Sequence, residues 1–336
     1  MAGVKILVTG ANGFIGCHVV DAARADGHEV CALVRDRSKV PDGWKADPDI
    51  TTAELDLTAP DAQDRLAKLL AEAEAIIHAA AIMGGDAARQ INDTVKATET
   101  VLAALKTCNP PPRMVLVSSL SVYDGQALKT GAVLTEASPL EATPKARDAY
   151  CEAKLAQEAH VRAAANAQGF ELWILRPGAV FGPGRLWNGH LGHPLGPVLL
   201  QMESKGEVPV SFVEHTAKAL VLAATTPAEG IEVVNVMDDD RPDRATYVAA
   251  LRRGGWPRVT LPFNWRFLSA VGGLVHGIPR LGRKLPGLLR PAVLHARMKP
   301  LRFDNARLHA RLNVPPQPPF AQIMSMMLER EKGHVS

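Results

Sequence analysis

Gly10, Gly13 and Gly16 stand in one run, Thr9-Gly10-Ala11-Asn12-Gly13-Phe14-Ile15-Gly16, between an apolar stretch at Val4–Thr9 and an Ala-rich stretch at Gly16–Asp26. A strand that enters such a turn and leaves it as a helix is the setting in which glycines hold a dinucleotide. Without side chains the backbone turns tightly and comes close to a pyrophosphate, whose charge meets the helix N-terminus. The run makes Gly10, Asn12, Gly13, Phe14, Ile15 and Gly16 candidate cofactor contacts. It also demands a strand, a turn and a helix at the start of the fold.

The amino-terminal half continues that alternation. Val30–Val34, Thr51–Leu55, Ala75–His78, Met114–Ser118 and Glu171–Leu175 are aliphatic or β-branched runs, suited to strands buried on both faces. Between them lie helix-spaced segments at Asp61–Ala73, Asn92–Lys106 and Ala149–Gln168. Such a chain is expected to form a doubly wound α/β parallel sheet with right-handed crossovers. Glu232–Val236, after an Ala-rich helix at His215–Thr225, would return one more strand to that sheet. From Phe181 onward Gly and Pro become dense. The expected division is a dinucleotide-binding domain at 1–181, taking back about 213–236, and a loop-rich substrate or cap region at 182–212 and 237–336.

The 336 residues are 47% hydrophobic and 22% charged, the make-up of a globular protein with one large domain or a domain plus appendage. A net charge of +3 gives no argument for nucleic acid. Cys17, Cys31, Cys108 and Cys151 lack metal-binding or redox spacing and read as thiols of a reducing compartment. The first strand leaves no room for a secretory signal, and no apolar run reaches the roughly 18 residues of a membrane span. A cytoplasmic protein is the expectation.

Cofactor choice should be written at the end of the second strand. An acid there would bond the ribose 2′-hydroxyl of NAD. Here Val34 holds that place and Arg35 follows, with Arg37 and Lys39 close behind. A guanidinium grips a 2′-phosphate bidentately, so NADP(H) is favoured over NAD(H), with Arg35 and Lys39 as contacts. Asp56 and Leu57, after the third strand, would lie near the adenine. Ala79, Ala80 and Ala81, after the fourth, let the backbone pass close to the cofactor.

Ser118-Ser119-Leu120-Ser121 ends the fifth strand, and Tyr150-Cys151-Glu152-Ala153-Lys154 opens the next helix. Residues four apart share a helix face, so the Lys154 ammonium can lie beside the Tyr150 phenol and draw its pKa down from about 10. A tyrosine so tuned gives or takes a hydroxyl proton while hydride passes between substrate and nicotinamide. Ser119 would donate to the carbonyl oxygen and steady the developing alkoxide.

TGANGFIG, HAAA, SSLSVY, YCEAK and LRPGAVFGPGR, in that order over roughly residues 4–240, resemble the motifs of the extended short-chain dehydrogenase/reductase family, NAD(P)-dependent epimerases and dehydratases among them. The resemblance implies a Rossmann fold, a catalytic set of Ser119, Tyr150 and Lys154, and Pro177 to Val180 bordering the nicotinamide. It places Arg185 near cofactor or substrate phosphates, and Asn92 where the family often has an asparagine. The VRDRSK stretch is similar to dihydroflavonol-reductase-like and 3β-hydroxysteroid-dehydrogenase-like members. The chain departs from nucleotide-sugar epimerases at Phe212-Val213-Glu214-His215 and at Asp124 after Tyr123.

The expected activity is NADP(H)-dependent interconversion of a carbonyl and a secondary alcohol. The rivals are a nucleotide-sugar epimerase or dehydratase that recycles its cofactor, and a non-catalytic dinucleotide-binding protein. Tyr123, Arg185, Trp187, Asn188 and His190 are candidate substrate contacts. His190 and His193 lack companion ligands, so no metal is expected.

Between Asp243 and Asp304 no residue is acidic, while arginines and lysines recur from Arg252 to Arg302 beside Trp256, Phe263, Trp265 and Phe267. Three readings stay open for this segment: a solvated face, a cap over an anionic substrate, or a surface touching a membrane or a lipid-like substrate. Family members commonly dimerise beside the catalytic helix, which leaves a homodimer as an expectation.

Overall fold

A computed structural model describes residues 3–81, 86–276 and 290–333. The central sheet contains β1 (Lys5–Thr9), β2 (Glu29–Val34), β3 (Ile50–Glu54), β4 (Ala75–His78), β5 (Arg113–Val117), β6 (Leu172–Pro177) and β7 (Ile231–Val236). Its order is β3-β2-β1-β4-β5-β6-β7, parallel throughout. The expected late strand thus joins the sheet edge beside β6.

Between the strands run α1 (Phe14–Ala25), α2 (Ala62–Leu70), α3 (Ala87–Leu105), α4 (Ala149–Gln168) and α5 (Val213–Thr225). Alternate residues of each strand feed opposite layers, as the period of two requires. Ile6, Val8, Ile77 and Val115 pack with Val19, Val20, Ala217 and Leu220 of α1 and α5. Leu7, Ile76, Met114 and Leu116 pack with Leu66, Val101, Leu105 and Val161 of α2, α3 and α4. Two cores explain why the interior strands β1, β2, β4, β5 and β6 are buried on both faces, while the edge strand β3 is partly exposed. Asn92 lies inside α3 and not at its start.

The crossovers reverse direction between β1 and β4, and the crevice at the carboxyl ends of such strands is where open α/β sheets bind ligands. The glycine run leaves β1 there, and Ser119 and Pro177 leave β5 and β6 at the same edge.

The region dense in Gly and Pro is more regular than its composition implied. Gly192–Leu195, Val198–Glu203 and Val259–Asn264 form a three-stranded sheet, and Val210–Phe212 pairs with Ala179–Phe181. Glycine and proline serve edges and turns here: Gly196 (φ 57°) and Pro197 make the two-residue turn, and Pro194 sits on an edge strand. Helices α6 (Arg244–Arg253), α7 (Trp265–His276) and α8 (Pro291–Met298) follow.

Candidate active site

The glycine loop is cramped by its own backbone. At Gly10 (φ 66°) a Cβ would lie 3.0 Å from the Ala80 main chain, and at Gly16 one would overlap the Gly10 carbonyl oxygen. Gly13 precedes α1 with no side-chain cap, so the first-turn amides of that helix face the cleft. Gly10, Gly13, Phe14, Ile15, Gly16, Ala79 and Ala81 line this cleft together with Ser119, Tyr150, Lys154, Pro177, Val180 and Arg185. Arg185 lies 4.8 Å over the Phe14 ring. Uncapped amides beside a glycine cradle fit a pyrophosphate.

The cleft continues past Gly10 and Asn12 to Val34, Arg35, Asp56, Leu57, Thr58, Ala79, Ala80 and Ala81. Asp56 is committed to Thr58, accepting from its amide at 2.9 Å and its hydroxyl at 2.8 Å. Arg35 is exposed and forms no ion pair among the described residues. Lys39 is not brought to the cleft; its ammonium pairs with Asp36 at 3.2 Å, one turn away on the same short 3-10 helix. Arg37 is drawn off similarly, donating to the Thr52 carbonyl at 3.0 Å.

Asp148 caps α4, accepting from the Cys151 amide at 2.8 Å, and this fixes Tyr150 in the first turn. Tyr150 and Ser119 line the same cleft, and Ser119 Oγ accepts from the Ser121 amide at 3.1 Å. Lys154 faces the same cleft, its Nζ 6.0 Å from the Tyr150 ring centroid. The expected lowering of the Tyr150 phenol pKa does not occur in the protein alone: burial pushes it up, against the pull of Ser119. Burial also lowers Lys154, to about 8, with Glu158 opposing. Dry surroundings disfavour both charged forms, so the i,i+4 spacing alone does not lower the phenol.

Sequence reading missed the buried partners of this trio. Lys154 Nζ donates to the Val117 carbonyl at 2.7 Å and to Gln157 Oε1 at 2.9 Å. Gln157 Nε2 donates to Thr98 Oγ1 at 2.8 Å, and that hydroxyl donates to the Thr94 carbonyl at 3.0 Å. With its proton used, Thr98 Oγ1 must accept from His78 Nε2 at 3.1 Å, so His78 Nδ1 accepts from Thr9 Oγ1 at 2.8 Å. Thr9 Oγ1 in turn accepts from the Ala80 amide at 3.2 Å. His78 is therefore a neutral imidazole; burial, and then Lys154, lower it to about 3. Alongside, Glu158 receives Arg176 at 2.8 and 2.6 Å and the Ser118 hydroxyl at 2.6 Å. A polar His78 inside a buried strand was the one signal in the sequence for this chain.

A second pocket opens on Tyr150 and Ser119, lined by Ser121, Tyr123, Arg147, Asp148, Asn188, His190 and Arg297 among others. Tyr123 borders it, but its hydroxyl is engaged, donating to Asn235 Oδ1 at 2.7 Å and accepting from Arg176 at 2.8 Å. Asn188 accepts from the His190 amide at 3.0 Å. Trp187 is 40% exposed and lines neither space. Among the described residues no three His, Cys, Asp or Glu side chains cluster as metal ligands, and no helix is long and apolar enough to cross a membrane. Of the basic segment, Arg297 reaches the pocket, Lys299 donates to the Gln126 and Leu128 carbonyls, and Arg280, Arg283 and Lys284 lie outside the described residues.

A glycine-cradled cleft at the switch point of a doubly wound sheet, with a serine, a tyrosine and a lysine at one end, defines a nicotinamide-dinucleotide-dependent oxidoreductase or epimerase. The chain belongs to the NAD dependent epimerase/dehydratase family, which it matches over residues 6–236. It is similar to a ceramide reductase of Caulobacter vibrioides, 31% identical over 252 residues, covering 74% of this chain and 68% of that protein. It is 29% identical over 189 residues to a 3-beta-hydroxysteroid dehydrogenase of Mycolicibacterium neoaurum; this match spans 54% of the chain and about half, 48%, of that protein. The structure of a Thermus thermophilus UDP-glucose 4-epimerase in complex with NAD superposes with a TM-score of 0.71 at 18% identity, covering 98% of this chain and 99% of that one. At that identity the likeness is one of fold.

Proposed function

We propose that the protein is an NADP(H)-dependent oxidoreductase that interconverts a carbonyl and a secondary alcohol. The observation that carries this reading is the placement of Tyr150 and Ser119 together where the glycine-lined cleft, which also holds Lys154, meets a second pocket. A bound nicotinamide would supply or accept the hydride at the substrate carbon. In the reducing direction Ser119 donates a hydrogen bond to the substrate carbonyl oxygen. Tyr150 then gives its proton to that oxygen as the C=O double bond becomes a C–O single bond, leaving a phenolate. Lys154, bonded to Val117 and Gln157, presents the nearby cation that favours this phenolate. Oxidation runs the same proton back to Tyr150.

The NADP(H) preference rests on Arg35, exposed and in no ion pair among the described residues, beside Val34 where an NAD-binding chain would present an acid. Net redox turnover is supported over internally recycled epimerisation by the reductase and dehydrogenase names of the two relatives. Replacing Tyr150 with Phe should lower turnover by at least about 10²-fold while cofactor affinity stays nearly unchanged. Retained activity would sink the assignment, and carbonyl turnover without net NADPH consumption would favour epimerisation. Arg35→Ala should weaken NADP(H) far more than NAD(H), and equal loss for both would refute the 2′-phosphate role.

A further inference from the structure

Arg147 and Arg297 meet in the pocket that opens on Tyr150. Arg147 ends the short helix Pro144–Arg147 just ahead of α4 and is 6% exposed. Its Nη1 donates to the Tyr123 carbonyl at 2.7 Å, while its Nε is buried and has no partner. Arg297 comes from α8, and its guanidinium makes no hydrogen bond or ion pair among the described residues. Gly189 leaves it room: a Cβ there would lie 2.7 Å from Arg297 Nη1. The Ser121 hydroxyl lines the same pocket, also buried and without a partner.

Charge in this pocket is one-sided. Asp148 is the sole carboxylate among its lining residues, and its Oδ1 is occupied by the α4 amide of Cys151. Behind it Arg244, 3% exposed, donates to the carbonyls of His190 and Arg297 at 2.8 and 2.7 Å. His190 bonds the Arg297 carbonyl through Nδ1 at 3.2 Å, and burial with the surrounding arginines keeps its ring neutral. A buried guanidinium nitrogen without an acceptor, such as Arg147 Nε, is costly, and a second, half-buried guanidinium from Arg297 in the same pocket makes a pair suited to an oxyanion.

We propose that Arg147 and Arg297 hold an anionic oxyacid group of the substrate, a carboxylate or a phosphate, and so set which carbonyl faces Tyr150. This rests on the pocket at Tyr150 being the substrate side of the proposed oxidoreductase. The buried Ser121 hydroxyl adds a donor to the same group.

The test uses protein saturated with NADP⁺, so that the glycine loop cannot take up the probe. Calorimetric titration is run with acetoacetate for a carboxylate, dihydroxyacetone phosphate for a phosphate, and methyl acetoacetate as a neutral control. The protein should bind one of the anions more tightly than the neutral ester, and whichever binds names the group. Arg297→Gln should weaken that anion roughly tenfold or more and leave methyl acetoacetate within about twofold, both measured at saturating NADP⁺ because Arg297 also lines the glycine-lined cleft. Arg147→Lys, which keeps the charge and loses the fork, should weaken it less, and it guards against misfolding of a truncated Arg147. A protein that binds neither anion, or an Arg297→Gln variant that binds them as well as the parent, overturns the proposal. The anion titrations do not depend on chemistry, so their result stands apart from the Tyr150→Phe turnover test.

Discussion

Lys154 Nζ donates to Gln157 Oε1 at 2.9 Å, and Gln157 is fully buried one helical turn further along α4. The bond ties the ammonium, through Thr98 and His78, to Thr9 at the entrance of the glycine loop. The two ends of the candidate site are thus joined inside the protein and not only across the cleft.

Gln157 is accordingly a positioning residue for Lys154. Gln157→Leu removes one of the two acceptors of an ammonium already lowered to about 8, so the alkaline limb of kcat/KM should move to lower pH. Gln157→Glu adds an opposite charge and should move it to higher pH. Unchanged limbs in both variants would show that Gln157 matters for packing alone.

Acid should destabilise the fold before its carboxylates titrate. His78 and His190 are held near 3 in the folded protein, below the unfolded value of 6.5. The unfolded chain therefore binds more protons between those values, and stability falls as pH falls through that window. From pH 7 to 5 each histidine should remove about 2 kcal/mol, read by urea unfolding. His78→Gln should roughly halve the slope.

Gly16→Ala should disturb the cradle, because its Cβ would overlap the Gly10 carbonyl oxygen. We expect a loss of about 1–3 kcal/mol and dinucleotide affinity weakened by more than about tenfold. Gly43→Ala is the control, since a Cβ there meets nothing within 4 Å; it should be neutral or slightly stabilising.

Glu158 and Arg176 form an ion pair in which both side chains are 2% exposed. Glu158→Ala strands the guanidinium and should cost about 3–5 kcal/mol in chemical denaturation. Replacing both residues by apolar ones of similar volume should cost much less, which separates an unpaired charge from a lost contact.

Sequence alone determined what depends on neighbours along the chain. The glycine run, the seven apolar strands and the four-residue step from Tyr150 to Lys154 are local patterns. Backbone sterics and helix periodicity make such patterns readable without a fold. Lys39 and Trp187 show the limit of that reading, since nearness in sequence to a cofactor or substrate loop did not decide which way either side chain turned. Tertiary structure decided whatever required distant segments to share a dry volume. It brought Arg147 and Arg297 to one pocket from 150 positions apart, and it joined His78, Thr98 and Gln157 into one chain of hydrogen bonds. It also raised the Tyr150 phenol where sequence spacing foretold a fall, because desolvation depends on what encloses a group and no linear pattern records that.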